Sequence, residues 1–414
     1  MNRTELHLAL RPLHFLRRHS NTPGGQVSLA SGERSKILLW QPETIDWIFR
    51  NDSELGHPGS RSMRPVLGPK SLLWMDGPRY AAYRKVLGPQ LGSRRIGAYQ
   101  RIIDNTVDRA ITKLPQGKTF VLPDWTRKVT LDIASEIVLG HADQAVLSEF
   151  STWIDRALGS PLRSLGYRVL AGGLPRSSAT LDRALIAGAQ ATTARQPPSL
   201  VSLLLDKEGP LGNIAETELR DQIVSLLFAG HETTASATAW TVFWLYRHEE
   251  LRQSVLAELA STTDSGVDPK AVPLLQATVQ ESLRITPPVP AAGNRVLRAD
   301  TDLLGTSLSA GTVLSPSIHI AHRQPEHFPE PWRFDASRFL GKRPQSHHYF
   351  PFGGGSRHCL GSQLGQLEAR VITAALLRRR SLRCVNPAAG VPEFRGHAMA
   401  PSARLRMQVI ACHD

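Results

Sequence analysis

The sequence predicts a single, mainly α-helical domain with small β-sheets. Apolar residues recur at the three- and four-residue spacing of helices through most of the region from about 76 to 285. Short strand-like runs lie on either side of this region, near 26–40 and 294–315. No repeat, low-complexity tract or linker divides the 414 residues, so we prefer one domain over 1–414 to the two or three that length alone suggests.

The N-terminal part, about 20–60, is expected to be rich in β-structure. Two strand-like runs, Gln26–Leu29 and Ser35–Trp40, flank the turn signal Ser31-Gly32-Glu33. A helix is expected from about Glu43 to Arg50, because Pro42 suits a first helical turn.

Helical periodicity organises the middle of the chain. The stretches 56–69 and 159–175, which are rich in glycine, are expected to be loops. Helices are predicted over 76–87, 94–114, 124–139, 145–158, 177–194, 199–207, 248–261 and 273–285.

The longest helical pattern runs from about Thr217 to Tyr246, with Thr217 as its predicted cap. Its middle, Ala229-Gly230-His231-Glu232-Thr233-Thr234, is poor helix sequence, because a glycine costs about 1 kcal/mol against alanine. Threonine can also bond back to a carbonyl one turn earlier and bend a helix. A kink is therefore expected, and on its own it could be harmless.

Short strands are predicted again at Asn294–Leu297, Thr301–Leu304 and Thr312–Ser315, after Pro287-Pro288-Val289-Pro290.

The stretch Phe352-Gly353-Gly354-Gly355-Ser356-Arg357-His358-Cys359-Leu360-Gly361 precedes another helical pattern. A cysteine at a helix N-terminus is favoured as a thiolate, and glycines allow the backbone to approach something large and flat. The plain alternative is a small buried cysteine after an ordinary loop. A structural zinc site is disfavoured because only His358 lies beside Cys359, whereas haem iron can be held by one thiolate.

Bulk properties narrow the class of protein. The net charge of +13 invites a nucleic-acid interpretation, but the basic residues are spread along the chain and the aromatic residues (6%) do not interleave with them. An acidic protein partner fits this charge better. The three cysteines have no disulfide spacing, and neither a signal-peptide block nor an apolar run of about 18 residues is present. We expect a soluble, cytoplasmic protein.

The spacing Phe-x-x-Gly-x-Arg-x-Cys-x-Gly, the segment Ala229–Thr234 and Glu281-Ser282-Leu283-Arg284 together resemble the cytochrome P-450 family of haem-thiolate monooxygenases. The resemblance extends from about 25 to 410. It implies a haem-binding loop at 350–361, with the long helix over the distal face of the haem and the cysteine loop and its helix on the proximal side. It also implies a C-terminal hairpin at about 390–410, whose tip reaches the substrate pocket.

By the same resemblance, haem b is the cofactor and Cys359 is its iron ligand. Glu232 and Thr233 would be the acid–alcohol pair that relays protons during oxygen activation. Arg284 and Arg338 would form a buried structural cluster with Glu281. Tyr80 stands where the family often has histidine or tryptophan. The other implied haem contacts are Arg84, Arg295 and Arg357, to the propionates, and Phe352, Gly353, Gly361, Ala229 and Gly230.

The implied substrate pocket is mostly apolar, which suits a terpenoid, polyketide, steroid or fatty-acid-like molecule. The unfused architecture resembles bacterial enzymes that tailor secondary metabolites. The implied lining comprises Met63, Val66, Leu67, Trp74, Ser225, Phe228, Ala229, Ala291, Ala292, Ala398 and Met399.

The chain has no flavin, nicotinamide or Fe–S fingerprint, so electrons from NAD(P)H are expected to arrive through an external redox partner. A ferredoxin or flavodoxin-like protein with its reductase would serve a monomeric enzyme. Candidate docking residues are Arg84, Lys85, Arg370 and Arg378-Arg379-Arg380. Two alternatives stay open: rearrangement, desaturation or ring formation in place of oxygen insertion, and a catalytically silent relative that recruits a partner.

Overall fold

The computed structural model describes residues 3–32, 35–59, 63–191, 196–262, 268–342, 344–395 and 398–413. Helices dominate this part of the chain, in agreement with the predicted fold class. They are α1 (Arg3–Leu10), α2 (Pro12–His19), α3 (Pro42–Arg50), α4 (Arg64–Leu67), α5 (Gly77–Leu91), α6 (Gln100–Ile111), α7 (Leu122–Val138), α8 (Gln144–Leu158), α9 (Pro161–Leu170), α10 (Ala179–Gln190), α11 (Leu200–Leu204), α12 (Glu216–Arg247), α13 (Glu249–Ala260), α14 (Pro273–Ile285), α15 (Ile318–Ala321) and α16 (Ser362–Arg379).

The strands form small sheets at the margins of the helical core. They are β1 (Gln26–Ala30), β2 (Lys36–Leu39), β3 (Thr119–Val121), β4 (Arg295–Val296), β5 (Thr301–Leu303), β6 (Thr306–Leu308), β7 (Val313–Pro316), β8 (Arg380–Cys384), β9 (Pro392–Arg395), β10 (Ala398–Pro401) and β11 (Arg406–Cys412). The mixed sheet β1-β2-β7-β4 joins the N-terminal part to the segment after α14, with β2 parallel to β7. A second sheet has the order β3-β11-β8, and β9 pairs with β10 as a hairpin.

The helix α12 runs through the centre of the fold and is buried along most of its length. It packs against α7 and α16. Small residues allow both close approaches: a Cβ on Gly230 would lie 3.5 Å from Ala134 of α7, and a Cβ on Gly365 of α16 would lie 3.3 Å from the Thr234 hydroxyl. The sequence motif at 229–234 therefore lies where three helices meet.

Several local expectations were wrong. The stretch 159–175 was expected to be a loop, but it contains α9, because Ser160 caps the helix and Pro161 occupies its first turn. Two helices, α1 and α2, precede the first strand, in a segment for which no element was predicted. The loop expected over 56–69 contains the short helix α4.

The helix α12 also differs from expectation. It begins one residue earlier than expected, with Ala215 at the cap position instead of Thr217. It runs through Ala229 and Gly230 as one continuous helix. The Thr233 hydroxyl bonds back to the Ala229 carbonyl at 2.9 Å, as expected for a threonine at this position.

Among the described residues, no helix combines the length and apolarity that a bilayer span requires.

Candidate functional site

Cys359 lies in a loop three residues before α16 begins at Ser362. Its backbone N–H donates to the Phe352 carbonyl at 3.0 Å, which closes the loop. Its side chain is exposed. Nevertheless burial raises the pKa of the thiol, against the Gly361 N–H and the charge of Arg84, which lower it. A sulfur that faces a space inside the protein would show both the exposed surface and the raised pKa.

The otherwise buried helix α12 has one accessible stripe. Ala229 is exposed, and Gly230 and Thr233 are half-buried, whereas Phe228 and Glu232 are buried. Ala229 and Thr233 share one helix face because they are four residues apart. Since α12 crosses α16 at Thr234 and Gly365, this stripe and Cys359 flank the same crossing.

Three of the predicted cofactor contacts converge on the residues just before Cys359. Arg84 donates to the His358 carbonyl at 2.7 Å, and the Tyr80 hydroxyl donates to the Ser356 carbonyl at 3.0 Å. Arg357 stacks on Tyr80, with 3.7 Å between the guanidinium carbon and the ring centroid, and pairs with Asp76 at 2.5 Å. The Arg357 Nε is buried without a hydrogen-bond partner among the residues that the structure describes.

Arg295, the remaining predicted propionate ligand, is buried and already engaged by the protein. Its Nε donates to Asp52 at 2.6 Å, and its two terminal nitrogens donate to the Gly293 and Gly354 carbonyls at 2.5 and 3.0 Å. These contacts use three of its five N–H groups, so two remain for another acceptor.

The three consecutive glycines have different neighbours. A Cβ on Gly354 would lie 2.3 Å from the ring of Phe49, and one on Gly355 would lie 2.6 Å from Asp52. Gly353 is in the left-handed region (φ 67°), with Ala292 at 3.8 Å from such a Cβ. The expected close approach to a flat molecule thus has a protein counterpart at Gly354, where the flat group is the Phe49 ring.

Asp52 and His57 stabilise the cysteine loop through buried polar contacts, and neither residue was identified from the sequence. Asp52 is 2% exposed and binds Arg295, the Ser356 hydroxyl and His57. The other ring nitrogen of His57 lies 2.7 Å from Asp76. Burial raises the pKa of Asp52. The hydrogen bond from His57 and the charge of Arg295 outweigh burial and hold this pKa well below its usual range. No local signal marks Asp52, because Arg295 and Ser356 lie 243 and 304 positions further along the chain.

Glu232 is buried and held by a cation that sequence reasoning also missed. Arg127 of α7 donates from Nε to Glu232 Oε1 at 3.1 Å, and His231 Nε2 lies 3.4 Å from the same oxygen. Arg127 also binds Asp155 of α8 at 2.9 Å, and Asp155 lies 3.5 Å from Arg395 of β9. Burial raises the pKa of Glu232. The contacts of His231 and Arg127 outweigh burial and hold this pKa well below its usual range. Glu232 is therefore ionised at neutral pH.

The three residues of the predicted structural cluster lie together. Arg284 binds Glu281 through two contacts, at 2.6 and 2.8 Å, and both side chains are fully buried. Arg338 Nε lies 3.5 Å from Glu281. Arg284 also donates to the carbonyls of His322 and Pro331, so the cluster fastens the chain after α15 onto α14.

The predicted substrate-pocket residues differ in exposure. Ala229 is exposed and Ala291 is half-buried. The Ser225 hydroxyl is bonded to Ser71 at 2.7 Å, and the Met399 carbonyl accepts from Trp240 at 3.1 Å. The hairpin tip at 396–397, which was expected to reach the pocket, lies outside the described residues. The buried members are Met63, Val66, Leu67, Trp74, Ser225, Phe228, Ala292, Ala398 and Met399.

A cavity of about 360 Å³ lies elsewhere, between α7, α8 and α10. Its lining includes Leu139, His141 and Gly188 but no predicted pocket residue.

Two of the arginines expected to dock a redox partner are buried, so that expectation is wrong for them. Arg370 is 6% exposed and binds Gln276 at 2.5 Å. Arg380 is 7% exposed and donates to the Leu114 and Ile111 carbonyls. Both guanidinium groups hold the fold together. Lys85 is exposed, and Arg84 is half-buried.

Comparison with known proteins gives one consistent result. The family model described as Cytochrome P450 matches residues 178–405, more than half of the chain. Cytochrome P450 135B1 of Mycobacterium tuberculosis is 29% identical over 97% of this chain and 88% of its own length. Cytochrome P450 135A1 of the same organism is 30% identical over 90% of this chain and 85% of its own length.

Solved structures agree with this result. A cyanobacterial CYP120A1 with bound retinoic acid superposes with a TM-score of 0.82 and 25% identity, over 98% of this chain and 96% of that one. A zebrafish cytochrome P450 with progesterone gives a TM-score of 0.81 over 97% of this chain and all of that one, at 22% identity, which supports the fold alone.

Proposed function

Since the chain belongs to the cytochrome P450 family of haem-dependent monooxygenases, we propose that it inserts one oxygen atom from O2 into a C–H bond or a double bond of a mainly apolar small molecule. The observation that supports this most is the placement of Cys359. Its thiol is accessible yet surrounded by protein, and it flanks the same helix crossing as the accessible stripe of α12.

The residues around this space fit a haem. Cys359 offers a soft ligand, and beyond Gly361 and its two chain neighbours no heavy atom of the described residues lies within 4 Å of a Cβ placed on Gly361. The buried, unpaired Nε of Arg357 needs an acceptor, which a propionate carboxylate can supply. Arg84 and the two remaining N–H groups of Arg295 would add to this contact. The Tyr80 hydroxyl already donates its proton to the Ser356 carbonyl. Haem iron held by a thiolate supplies oxygen activation through O–O cleavage.

The protein contributes proton transfer from the α12 side. The Thr233 hydroxyl donates to the Ala229 carbonyl, so its lone pairs can accept a hydrogen bond from the accessible space. Glu232 is the next proton carrier. Arg127 and His231 both contact Oε1, so we assign the exchanged proton to Oε2. Because Glu232 is ionised when paired, it must first accept a proton before it can donate one.

The substrate is proposed to be a terpenoid or polyketide, tailored as a secondary metabolite. The mostly apolar lining supports this class. The cyanobacterial relative that holds retinoic acid, a mostly apolar isoprenoid, points the same way. Electrons are proposed to come from NAD(P)H through a ferredoxin or flavodoxin-like donor with its reductase, because the sequence has no flavin or Fe–S motif of its own.

The absorption spectrum of the haem-loaded, reduced protein under carbon monoxide tests the proposal. Thiolate ligation predicts the strongly red-shifted Soret band of this family. The shift is expected to disappear in Cys359→Ala and to persist in Cys384→Ala, a matched change at a half-buried cysteine in β8. A wild-type spectrum without the shift, or a shift that survives Cys359→Ala, would contradict the ligand assignment.

A further inference from the structure

A continuous chain of five ionisable side chains lies against the cysteine loop, with His57 at its centre. We call it the ionic chain, and the order of its members is Arg295, Asp52, His57, Asp76 and Arg357. The distances between successive members are 2.6, 3.3, 2.7 and 2.5 Å. Asp52 and His57 are buried. The arginines at the two ends are those whose spare N–H groups fit the haem propionates.

Each ring nitrogen of His57 faces a carboxylate. Nδ1 lies 2.7 Å from Asp76 Oδ1, and Nε2 lies 3.3 Å from Asp52 Oδ1. Both carboxyls are ionised at neutral pH, because hydrogen bonds outweigh burial and lower the pKa of each. A neutral imidazole has one N–H and can donate to only one of these two oxygens. Both contacts are therefore hydrogen bonds only when His57 is the doubly protonated imidazolium.

Asp76 does not play the capping role that its position offers. It precedes the first turn of α5, where an aspartate commonly accepts from backbone N–H groups of the helix. Among the described residues its side chain makes no capping bond. Both of its oxygens accept from His57 instead, one from the ring and the other from the His57 backbone N–H at 3.0 Å. The contact to His57 is thus made in place of an ordinary helix cap.

The charge of His57 decides what the two arginines can offer to a ligand. With a neutral His57, two carboxylates would balance two guanidinium groups, and the ionic chain would have no net charge. With an imidazolium, three cations face two carboxylates, so one positive charge remains for an anionic ligand. Arg298 lies 3.9 Å from Asp76, but its side chain is 60% exposed, so solvent screens its charge.

We propose that His57 is a positioning residue for the haem propionates. It balances the charge of the two aspartates, so the arginines at the ends of the ionic chain keep N–H groups for the propionate carboxylates. Among the described residues these free donors are the Nε of Arg357 and two N–H groups of Arg295. The inference rests on the proposed function, because it assigns His57 a role in holding the cofactor of that function.

The rate of haem loss tests the proposal. The full chain is loaded with haemin, and transfer of the haem to an excess of apomyoglobin is followed at the Soret band. His57→Gln removes the cation and should raise the rate at least about tenfold, as is usual when a partner that orients a ligand is lost. His57→Lys returns a cation with three donors and should recover most of the loss.

The matched control is His319→Gln in α15, which changes a histidine that is also buried, at 3% exposure against 8% for His57, but lies outside the ionic chain. It should lose haem at the wild-type rate. Thermal unfolding establishes that each variant folds.

Two further measurements separate a charged His57 from a merely structural one. The reduction potential of the haem should fall in His57→Gln, because loss of a nearby cation favours the ferric state, and should recover in His57→Lys. In the haem-free wild type, nitrogen NMR of the labelled histidines should show both ring nitrogens of His57 protonated.

The outcomes distinguish this inference from the proposed function. Wild-type haem loss and potential in His57→Gln, or a His57 ring with one protonated nitrogen, would overturn the role of His57 and leave the proposed function intact. A haem-loaded wild type without the red-shifted Soret band under carbon monoxide would overturn the proposed function and this inference with it.

Discussion

Arg127 on α7 and Glu232 on α12 form a buried ion pair, with 3.1 Å between Arg127 Nε and Glu232 Oε1. The side chains are 11% and 8% exposed. Asp155 of α8 shares Arg127 and also approaches Arg395 of β9, so one cluster connects three helices and the C-terminal hairpin. The proposed proton carrier is thus also a structural element of the distal side.

We expect Arg127→Met to lower the free energy of unfolding by about 3–5 kcal/mol, because it leaves a buried carboxylate without its cation. Adding Glu232→Gln should restore part of that loss, since the unpaired charge is gone. Urea denaturation measures both. The control is Arg109→Met, whose guanidinium is 61% exposed and 3.9 Å from Glu136, and its effect should stay within about 1 kcal/mol. Additive effects of the two changes would show that the residues do not interact.

The same pair predicts an acid dependence of stability. In the unfolded chain the pKa of the Glu232 carboxyl is about 4.3, and in the folded protein this pKa is lower. The unfolded state therefore binds the proton first as pH falls. The contact stabilises fully above about pH 4.3, and its contribution is lost as pH falls through the folded pKa. As pH falls, the free energy of unfolding should decline less steeply in Glu232→Gln than in the wild type. The same slope in both proteins would show that folding does not stabilise the ionised carboxyl.

Thr233→Ala is expected to uncouple electron use from product formation. The hydroxyl of Thr233 lies on the accessible stripe, whereas its neighbour Thr234 is buried against α16. Removal of a proton-transfer group typically costs about 10²–10⁴ in the rate of the step that it serves. Peroxide formed per NADPH consumed, with a surrogate ferredoxin system and a substrate that supports turnover, should rise in Thr233→Ala. The control Thr234→Ala should alter thermal stability instead, and equal peroxide yields from both variants would remove Thr233 from the relay.

Features set by neighbours in sequence were predictable, and those set by distant partners were not. The helix α14 spans Pro273–Ile285, as its periodicity indicated, and α16 begins just after Cys359. Arg127 could not be identified, because its partner Glu232 lies 105 positions away and a lone arginine in a helix is usually a solvated charge. Asp52 was missed for the same reason.

The glycine-rich stretch around α9 shows a different failure. Gly159, Gly166, Gly172 and Gly173 suggested a loop, yet Ser160 and Pro161 form an ordinary helix start. One glycine within a helix costs about 1 kcal/mol, which tertiary contacts such as Ser164 with the Ala157 carbonyl can offset.

The buried Glu281–Arg284 pair should contribute far more to stability than an exposed pair at the same spacing. Arg284→Met is expected to lower the free energy of unfolding by about 3–5 kcal/mol, because it leaves Glu281 buried with the longer contact to Arg338 as its one remaining ion pair among the described residues, beside the hydrogen bond from the Asp335 N–H. The matched variant Arg333→Met breaks the Glu330 pair, which has the same three-residue separation but side chains that are 63% and 69% exposed. That change should cost at most about 1 kcal/mol. Similar urea midpoints for the two variants would contradict the assigned structural role.

Gly354→Ala should disturb the cysteine loop by steric overlap alone. The backbone at Gly354 is extended, with φ −161°, so alanine adopts it without strain. The new Cβ would instead lie 2.3 Å from the ring of Phe49. We expect a loss of about 1–3 kcal/mol in unfolding free energy, as for other overpacked sites. Phe49→Leu in the same chain should recover part of it, because the smaller side chain removes the overlap.

The control for this substitution is Gly97→Ala, where, beyond residue 97 and its two chain neighbours, no heavy atom of the described part of the chain lies within 4 Å of the new Cβ. Its thermal midpoint should match that of the wild type. If Phe49→Leu fails to rescue Gly354→Ala, the glycine is required by something other than the aromatic ring. A bound haem is then the next surface to test, by comparing the two variants with and without the cofactor.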